Sequence, residues 1–437
     1  MKRFAMAALA ALMVFALTVP AWALETQFGG YFRFRGWTAQ NMTGEDLTEA
    51  RDVTATDLRT RLYFTTVFHE NLKFVTKFEM DTAFGSQADK GVGNWGDIGA
   101  DGVNLEIKQS YVDFNLGPLN GKVGVQYAEL ARGFLFADDF AGIIATVNAG
   151  NFALPLIWIK AYEGGMGKDR DDFDVDYIGV NPIVNAGPVK INPFFLYAYT
   201  EQMSADTDAD GIADYGWRKV ASNEMNLWYA GLNIDAKFDA ASIWLTGIYQ
   251  GGDIDLGLVR DFKAWLAGAG FSVNLPFGDI HGQGFYATGQ DPTSNDLETF
   301  WVPQGQSYYW AEIMGFGIIG DNYYLNVSNN ACADQIGNVM AGNLGVTIKP
   351  TDKLKISLDA WYAALAEDIV LRNNAGQVIF EESYLGTEVD LRITIQLVQG
   401  LNLDLVGAYL FAGEATTMDS PNEADPYEVG TMLSLSF

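Results

Sequence analysis

The sequence is poor in cysteine, in histidine and in basic side chains. It contains one cysteine, Cys332, and two histidines, His69 and His281. A single thiol cannot form an intramolecular disulfide, so burial and backbone pairing must stabilise the chain. The 27 basic residues are outnumbered by 55 acidic ones, which gives a formal net charge of −28. This acid excess argues against nucleic acid as a partner, because binding to phosphates requires positive charge.

Long hydrophobic runs are also missing, except at the start. A basic pair, an apolar stretch from Phe4 to Val19 and the sequence Ala21-Trp22-Ala23 follow one another. This order predicts a cleaved secretory signal peptide over 1–23 and a single domain over 24–437. No continuous apolar run in that domain has the roughly 20 residues that a transmembrane helix needs. Its apolar residues must therefore form a soluble β-protein or be spread along strands by alternation.

Apolar and polar residues alternate along many short segments. One face of the last segment carries the side chains of Tyr427, Val429, Thr431, Leu433, Leu435 and Phe437. In the segment 31–37, Phe32 and Phe34 share one face, and Arg33 and Arg35 share the other. A period of two residues predicts β-strands, since successive side chains of a strand point to opposite faces. The predicted fold class is all-β.

Two kinds of connection alternate between these segments. Short turns rich in Gly, Pro, Asn and Asp occur at 69–71, 117–121, 185–188, 276–279, 350–353 and 399–402. Long, polar and acidic connections occur at 39–56, 82–103, 203–222, 290–335, 367–384 and 414–426. This division is typical of a transmembrane, antiparallel, up-and-down β-barrel with short periplasmic turns and long acidic external loops. The segmentation predicts 18 strands, with 16 strands as the alternative.

A barrel of this size encloses an aqueous lumen. The connection at 290–335 is the longest and carries aromatic stretches at 307–310 and 321–324. Loops of this length are usually functional. We expect this loop, or the shorter segment 133–142, to fold into the lumen as a constriction. A loop that covers the barrel mouth from outside is the alternative.

The last strand resembles the terminal signature of bacterial outer-membrane proteins, which the barrel assembly machinery reads. Its signal residues are Tyr427, Leu433, Leu435 and Phe437. The segments 24–37 and 109–126 and the acidic loops resemble the homotrimeric general porins of sulfate-reducing bacteria. The resemblance implies a homotrimer in the outer membrane of a Gram-negative bacterium, in contact with lipid and lipopolysaccharide. It implies passive diffusion of small hydrophilic solutes and ions through water-filled channels, including anions such as sulfate.

Charged residues of the predicted strands should face the lumen, because a charge facing lipid near the midplane costs about 2–4 kcal/mol. A basic ladder on the first three strands consists of Arg33, Arg35, Arg59, Arg61, Lys73 and Lys77. An opposing acidic wall on later strands consists of Asp359, Glu388, Asp390 and Asp404. Two such walls would create a transverse field that filters solutes by charge. Alternatively, the arginines pair with acids such as Glu79 and Glu106 and only stiffen the wall.

The external segment 206–214 has the pattern D-x-D-x-D-G-x-x-D. A calcium ion could bind the side chains of Asp206, Asp208, Asp210 and Asp214 and the carbonyl of Ile212. Trp217 stands where an EF-hand needs glutamate, so a complete EF-hand is excluded. A solvated acidic loop is the alternative, and no required cofactor is expected.

An outer-membrane β-barrel hydrolase is the rival to a channel. Both histidines lie next to short turns, and therefore at the predicted periplasmic rim. An enzyme that acts on outer-leaflet lipid or external protein needs its base at the other end of the barrel. We therefore predict a channel and no enzyme. A solute-specific channel with a binding site is the second alternative to a general porin.

Overall fold

The computed structural model describes most of the predicted domain. The described residues are 25–46, 52–85, 105–165, 171–205, 207–208, 215–216, 224–302, 304–315, 317–319 and 336–437. The predicted signal peptide over 1–23 lies outside them. Among the described residues, no helix is long and apolar enough to cross a membrane.

The fold is a closed, antiparallel, up-and-down barrel of 18 strands, as the alternation predicts. The first nine strands are β1 (Glu25–Gln40), β2 (Val53–His69), β3 (Leu72–Ala83), β4 (Glu106–Leu116), β5 (Leu119–Leu130), β6 (Phe136–Ala149), β7 (Phe152–Tyr162), β8 (Val175–Val180 and Ile183–Ala186) and β9 (Val189–Thr200). The other nine are β10 (Met225–Lys237), β11 (Ala241–Asp255), β12 (Val259–Leu275), β13 (Gly278–Ala287), β14 (Val339–Thr351), β15 (Leu354–Arg372), β16 (Val378–Val398), β17 (Leu401–Ala412) and β18 (Tyr427–Ser436).

Short elements accompany the barrel. They are the 3-10 turns Ala131–Gly133 and Asp171–Phe173, the helix Glu414–Thr417, and a small strand pair, Ser204–Ala205 with Tyr215–Gly216. Strand β8 is interrupted at Pro182, which lacks an N–H group for the ladder. Both halves of β8 pair with β7 and with β9, so they act as one strand of the barrel.

The ring closes where the first strand meets the last. Strand β1 pairs with β2 on one side and with β18 on the other. At the end of this seam, the N–H of Gly30 donates to the carbonyl of Phe437 at 2.9 Å. The N–H of Phe437 donates back to the carbonyl of Gly30 at 3.2 Å. The described strands therefore leave no open edge in the barrel.

The connections differ strongly between the two ends of the barrel. At one end, eight turns of two or three residues join β2 to β3, β4 to β5 and so on around the ring. The connections at the other end include 41–52 and 288–338. The predicted loop at 367–384 is wrong in extent, because β15 and β16 continue to Arg372 and from Val378. The acidic residues suggested a loop there, whereas they lie on a hairpin that rises beyond its neighbours.

The outer surface of the barrel carries an apolar band. Large apolar side chains are exposed around the ring, among them Val112, Val123, Ile143, Leu156, Ile178, Phe195, Leu232 and Leu245. Exposed aromatic rings lie near the short turns at Phe68, Phe238 and Phe277 and near the opposite rim at Trp158, Trp265 and Tyr409. An apolar band between two aromatic girdles is the surface that a barrel presents to a lipid bilayer.

Candidate functional site

The connection between β13 and β14 enters the barrel. Its described residues 299–302, 304–315 and 317–319, here called the inner loop, include Phe300 and Ile319, which are fully buried. The hydroxyl of Tyr229 on β10 donates to the carbonyl of Trp301 at 2.7 Å. On the far side, the guanidinium of Arg35 on β1 donates to the carbonyl of Ile318 at 3.1 Å. The described part of this connection therefore crosses the lumen, as one of the two alternatives predicts.

A second, shorter segment joins it. Residues 131–135, here called the inner turn, begin with Ala131, Arg132 and Gly133 at positive φ values of 52°, 62° and 88°. A Cβ on Gly133 would lie 2.0 Å from the carbonyl oxygen of Ser307, so the close contact with the inner loop requires glycine. The ring of Phe134 stacks on Tyr308 with centroids 3.8 Å apart. The inner turn and the inner loop thus form one packed constriction.

Arg132 connects the constriction to the opposite wall. Its Nη2 donates to the carboxylate of Asp235 on β10 at 2.6 Å, and its Nε donates to Thr246 on β11 at 3.1 Å. The guanidinium also lies 4.7 Å from the ring centroid of Trp244. Left-handed backbone at non-glycine residues is unfavourable and persists only where surrounding contacts fix it. These three contacts fix Arg132.

A polar cavity of about 620 Å³ lies between the constriction and the wall formed by β2 to β6. Its cationic lining residues are Arg59, Arg61, Lys77, Lys108 and Lys122. Its carboxylates are Glu79, Asp138 and Asp139, and its tyrosines are Tyr63, Tyr111, Tyr127 and Tyr309. Five cations against three carboxylates give this space, here called the basic cavity, a positive lining in a chain of net charge −28.

The cations of the basic cavity differ in their partners. Arg59 donates to Asp81 at 2.8 and 2.5 Å, and Lys108 lies 3.2 Å from Asp139. Arg61 forms an ion pair with Glu79. Lys77 and Lys122 instead lie over aromatic rings, 5.1 Å from the Tyr63 centroid and 5.7 Å from the Tyr111 centroid.

Among the described residues, Lys77 and Lys122 form no ion pair. These two lysines are therefore the cations of the basic cavity that are most available to a solute.

The other members of the predicted basic ladder lie outside the basic cavity. Arg33 and Arg35 are almost fully buried, and the Nε of Arg35 donates to Asp57 at 2.9 Å. Lys73 on β3 lies in register with Asp113 on β4, close to the short-turn end of the barrel. The buried partners of Arg35 are Asp57, directly across the β1–β2 pair, and the carbonyl of Ile318 in the inner loop. Neither arginine lines the basic cavity, and their predicted place in the pore lining stays a prediction.

The predicted acidic wall is not an open wall. Glu388 and Asp404 have relative exposures of 0% and 2%, and Asp390 has 8%. Glu388 and Asp390 accept backbone N–H groups of the inner loop, and Asp404 accepts Nε of Arg392 at 2.9 Å. Asp404 on β17 is also only two strands from β1 around the closed ring, so it cannot oppose the ladder. Glu388 and Asp390 are thus acceptors for the backbone of the inner loop, and Asp404 is a partner of Arg392 within the wall.

A second cavity of about 480 Å³ lies on the other side of the inner loop, against β11 to β16. Its charged lining residues are Glu312, Asp359, Asp390, Lys355, Arg392 and His281. Asp359 accepts the amide of Asn343 at 2.6 Å and lies 2.9 Å from Nε2 of His281. This space, here called the mixed-charge cavity, is lined by Asp359 and Asp390 of the predicted acidic residues, and both of them have hydrogen-bond partners.

The two histidines lie near the short-turn end of the barrel and have hydrogen-bond partners. Nδ1 of His281 lies 2.8 Å from Asp279, and its Nε2 lies 2.9 Å from Asp359. Both ring nitrogens thus contact carboxylates, and neither is left to accept a proton from a nucleophile. The Nδ1 of His69 accepts the N–H of Asn71 at 3.2 Å within a short turn.

Several residues of the site have sequence signals that the ladder prediction did not use. Lys122 and Gln126 occupy one face of the alternating segment 121–127, and Tyr111 lies on the paired strand β4. Extending the inward-facing pattern from β3 to β5 would have included Lys108 and Lys122. No sequence signal identifies Arg132, because its role depends on contacts with β10 and β11.

The predicted calcium segment 206–214 lies outside the described residues, except for Thr207 and Asp208. Within the part of the chain that the structure describes, no group of three or more His, Cys, Asp or Glu side chains could hold a metal ion. Calcium binding by Asp206, Asp208, Asp210, Ile212 and Asp214 therefore stays a prediction.

Comparison with known proteins identifies similar folds. No protein-family model matches the chain, and no curated protein matches it in sequence. The structure of OccAB4 from Acinetobacter baumannii is 10% identical, with a TM-score of 0.57 over 96% of this chain and 100% of that one. OccK9 (OpdG) from Pseudomonas aeruginosa is 13% identical, with a TM-score of 0.58 over 94% and 99%. OpdK from the same organism, solved with vanillate, is 11% identical, with a TM-score of 0.54 over 94% and 98%. At these identities the likeness establishes the barrel fold.

Proposed function

We propose that this protein is an outer-membrane channel that passes small anionic solutes by passive diffusion and selects among them. The observation that carries the proposal is the basic cavity, where five cations and four tyrosines line the space between the constriction and the wall. This positive lining stands out in a chain whose net charge is −28. Local lining charge, rather than net charge, sets the field that a solute meets in a narrow pore.

The chemistry of the basic cavity suits a carboxylate or another small anion. Lys77 and Lys122 offer ammonium groups that are not occupied by ion pairs among the described residues. The neighbouring rings of Tyr63 and Tyr111 offer apolar faces and phenol hydroxyls. Vanillate, found with OpdK, combines a carboxylate with an aromatic ring, and the basic cavity presents groups that complement both parts. Sulfate would use the cations alone.

A general porin without selectivity is the second candidate. The size of the barrel favours it, since an 18-stranded ring leaves space for an open channel. The constriction favours the selective channel, because Phe134, Tyr308 and Phe300 pack inside the lumen and reduce the open path to lined cavities. We therefore give the selective channel precedence.

Ion selectivity in a planar bilayer tests the proposal. In a salt gradient, the wild-type channel should show the reversal potential of an anion-selective pore. The double variant Lys77→Gln with Lys122→Gln should shift that potential toward cations. Lys237→Gln makes the same chemical change at an exposed position at the short-turn end of β10, and should leave the potential unchanged. A cation-selective wild-type channel, or equal potentials for all variants, would reject the proposal.

Assembly and partners remain proposals of the same kind. We infer a homotrimer that contacts lipid and lipopolysaccharide and is inserted by the barrel assembly machinery. Conductance steps that occur in groups of three, and a trimer band that resists mild detergent, would support this assembly. Single conductance steps with a monomer band would contradict it.

The effect of calcium on the melting of wild-type and Asp208→Ala protein tests the external calcium segment.

A further inference from the structure

Three consecutive aromatic residues of the inner loop have different exposures. Tyr308 and Trp310 are both 8% exposed, whereas Tyr309 between them is 54% exposed. The alternation follows from an extended backbone, in which neighbouring side chains point to opposite sides. The first and third rings therefore pack against other parts of the barrel, and the middle ring projects into the lumen.

The two buried neighbours hold this position firmly. The hydroxyl of Tyr308 donates to Gln283 on β13 at 2.7 Å, and its ring stacks on Phe134 of the inner turn. The ring of Trp310 packs edge-to-face on Trp361 with centroids 5.2 Å apart, and on Phe285 at 5.5 Å. A residue fixed through both chain neighbours has little freedom to leave its place. The backbone that carries the ring of Tyr309 is thus held in place by the packing of its two neighbours.

Tyr309 is also the one described residue that lines both cavities. The basic cavity and the mixed-charge cavity share no other lining side chain. The two spaces therefore meet at its ring, on either side of the inner loop. Ser307 lines only the basic cavity, and Trp310 lines only the mixed-charge cavity.

We propose that Tyr309 is the specificity-determining residue of the channel, a fixed aromatic partition between the two cavities. This inference rests on the proposed function, because it assumes that solutes move through the lumen. A solute that passes from one cavity to the other must pass the edge of this ring. The ring limits the size of the solute that can pass. Removing the ring would join the two cavities into one wider space.

Size-dependent anion permeability tests the partition. Chloride, acetate and gluconate form a series of increasing size, and their permeability ratios can be measured from reversal potentials under bi-ionic conditions. The wild-type channel should discriminate strongly against gluconate. Tyr309→Ala should raise the gluconate-to-chloride ratio several-fold and increase the chloride conductance. Tyr309→Phe keeps the ring and should therefore keep the size discrimination of the wild-type channel.

The control and the contrary outcomes separate this inference from the proposed function. Tyr249→Ala removes an exposed ring from the outer surface and should behave as wild type. Migration of unheated samples on a detergent gel reports whether each variant is folded. An anion-selective wild-type channel with unchanged size discrimination in folded Tyr309→Ala protein overturns the partition and leaves the proposed function intact. A wild-type channel without anion preference overturns the proposed function, and this inference falls with it.

Discussion

The carboxylate of Glu388 accepts a hydrogen bond of 2.6 Å from the backbone N–H of Ile313. It also accepts the N–H of Met314 at 2.9 Å, while Arg35 donates to the carbonyl of Ile318 from the other side. The tip of the inner loop is thus held through its backbone by a buried acid on β16 and a buried base on β1. This arrangement gives both residues a function that does not require contact with solute.

Replacing Glu388 should release the tip of the inner loop. Glu388→Ala leaves two buried N–H groups without acceptors, at a cost of about 1–3 kcal/mol for each group. We expect the folded barrel to convert to the unfolded form at a lower temperature on detergent gels. Single-channel currents should become larger and noisier. Glu381→Ala changes an exposed acid on the same strand and should alter neither measurement; quiet wild-type currents from Glu388→Ala would contradict the assignment.

Neutralising Arg35 should affect stability more than ion selectivity. Arg35→Met leaves Asp57 buried without its main partner, which costs about 3–5 kcal/mol for a buried pair. The reversal potential should remain near the wild-type value, because Arg35 lines neither cavity. The double variant with Asp57→Asn should recover part of the lost stability. A shift in reversal potential as large as that of the Lys77 and Lys122 variant would return Arg35 to the pore lining.

The attachment of the inner loop to the barrel wall should weaken as the pH rises. Burial raises the pKa of Glu312 to about 7 from its usual value of 4.5, and the charge of Glu388 adds to the rise. Asp390 also faces it, and Arg392 and the N–H of Ile318 partly offset these effects. With a raised pKa, Glu312 keeps its proton while the inner loop is bound to the wall and loses it when the loop is released. Protonation of Glu312 therefore stabilises the bound loop, and this stabilisation is complete below about pH 4.5.

That stabilisation is lost as the pH rises through about 7. Current noise should therefore increase between pH 5 and pH 8 in wild-type channels. Glu312→Gln channels should lack the part of this increase that comes from Glu312. Equal pH profiles for the two proteins would show that Glu312 does not control the loop.

Adding one methyl group at the seam should impair barrel closure. A Cβ on Gly30 would lie 2.4 Å from the ring of Phe437 and 2.7 Å from the carbonyl oxygen of Arg61. Gly30→Ala should therefore cost about 1–3 kcal/mol through overpacking and reduce the yield of folded barrel. On the same strand, a Cβ on Gly36 would come no closer than 3.4 Å to a side-chain methyl of Thr56. Gly36→Ala should fold at the wild-type yield, and equal yields for both variants would show that the seam tolerates the methyl.

The strands could be predicted because their signals are local. Alternation and turn residues are properties of a few neighbouring positions, and they were sufficient for 18 strands and the short turns. Acidic residues such as Glu381 and Glu382 misled the prediction, because they lie on strand β16 of a long hairpin and not in a loop.

The site could be predicted only in part because its contacts are long-range. Arg59, Arg61 and Lys77 were found from their shared face on adjacent strands. The burial of Glu388 depends on Ile313, which lies 75 residues away in the chain. The projection of Tyr309 depends on rings supplied by the inner turn and by two strands, β13 and β15. No local sequence pattern predicts such long-range contacts.

The seam between β1 and β18 also constrains the timing of folding. Its two strands are the first and the last of the barrel, so their pairing has the greatest sequence separation of any pair in the ring. Until β18 arrives, β1 presents unpaired backbone groups that could pair with another chain. Contacts of high sequence separation form slowly. The unpaired edge of β1 must therefore be shielded until β18 pairs with it. The cell must supply this protection while the chain is exported and inserted.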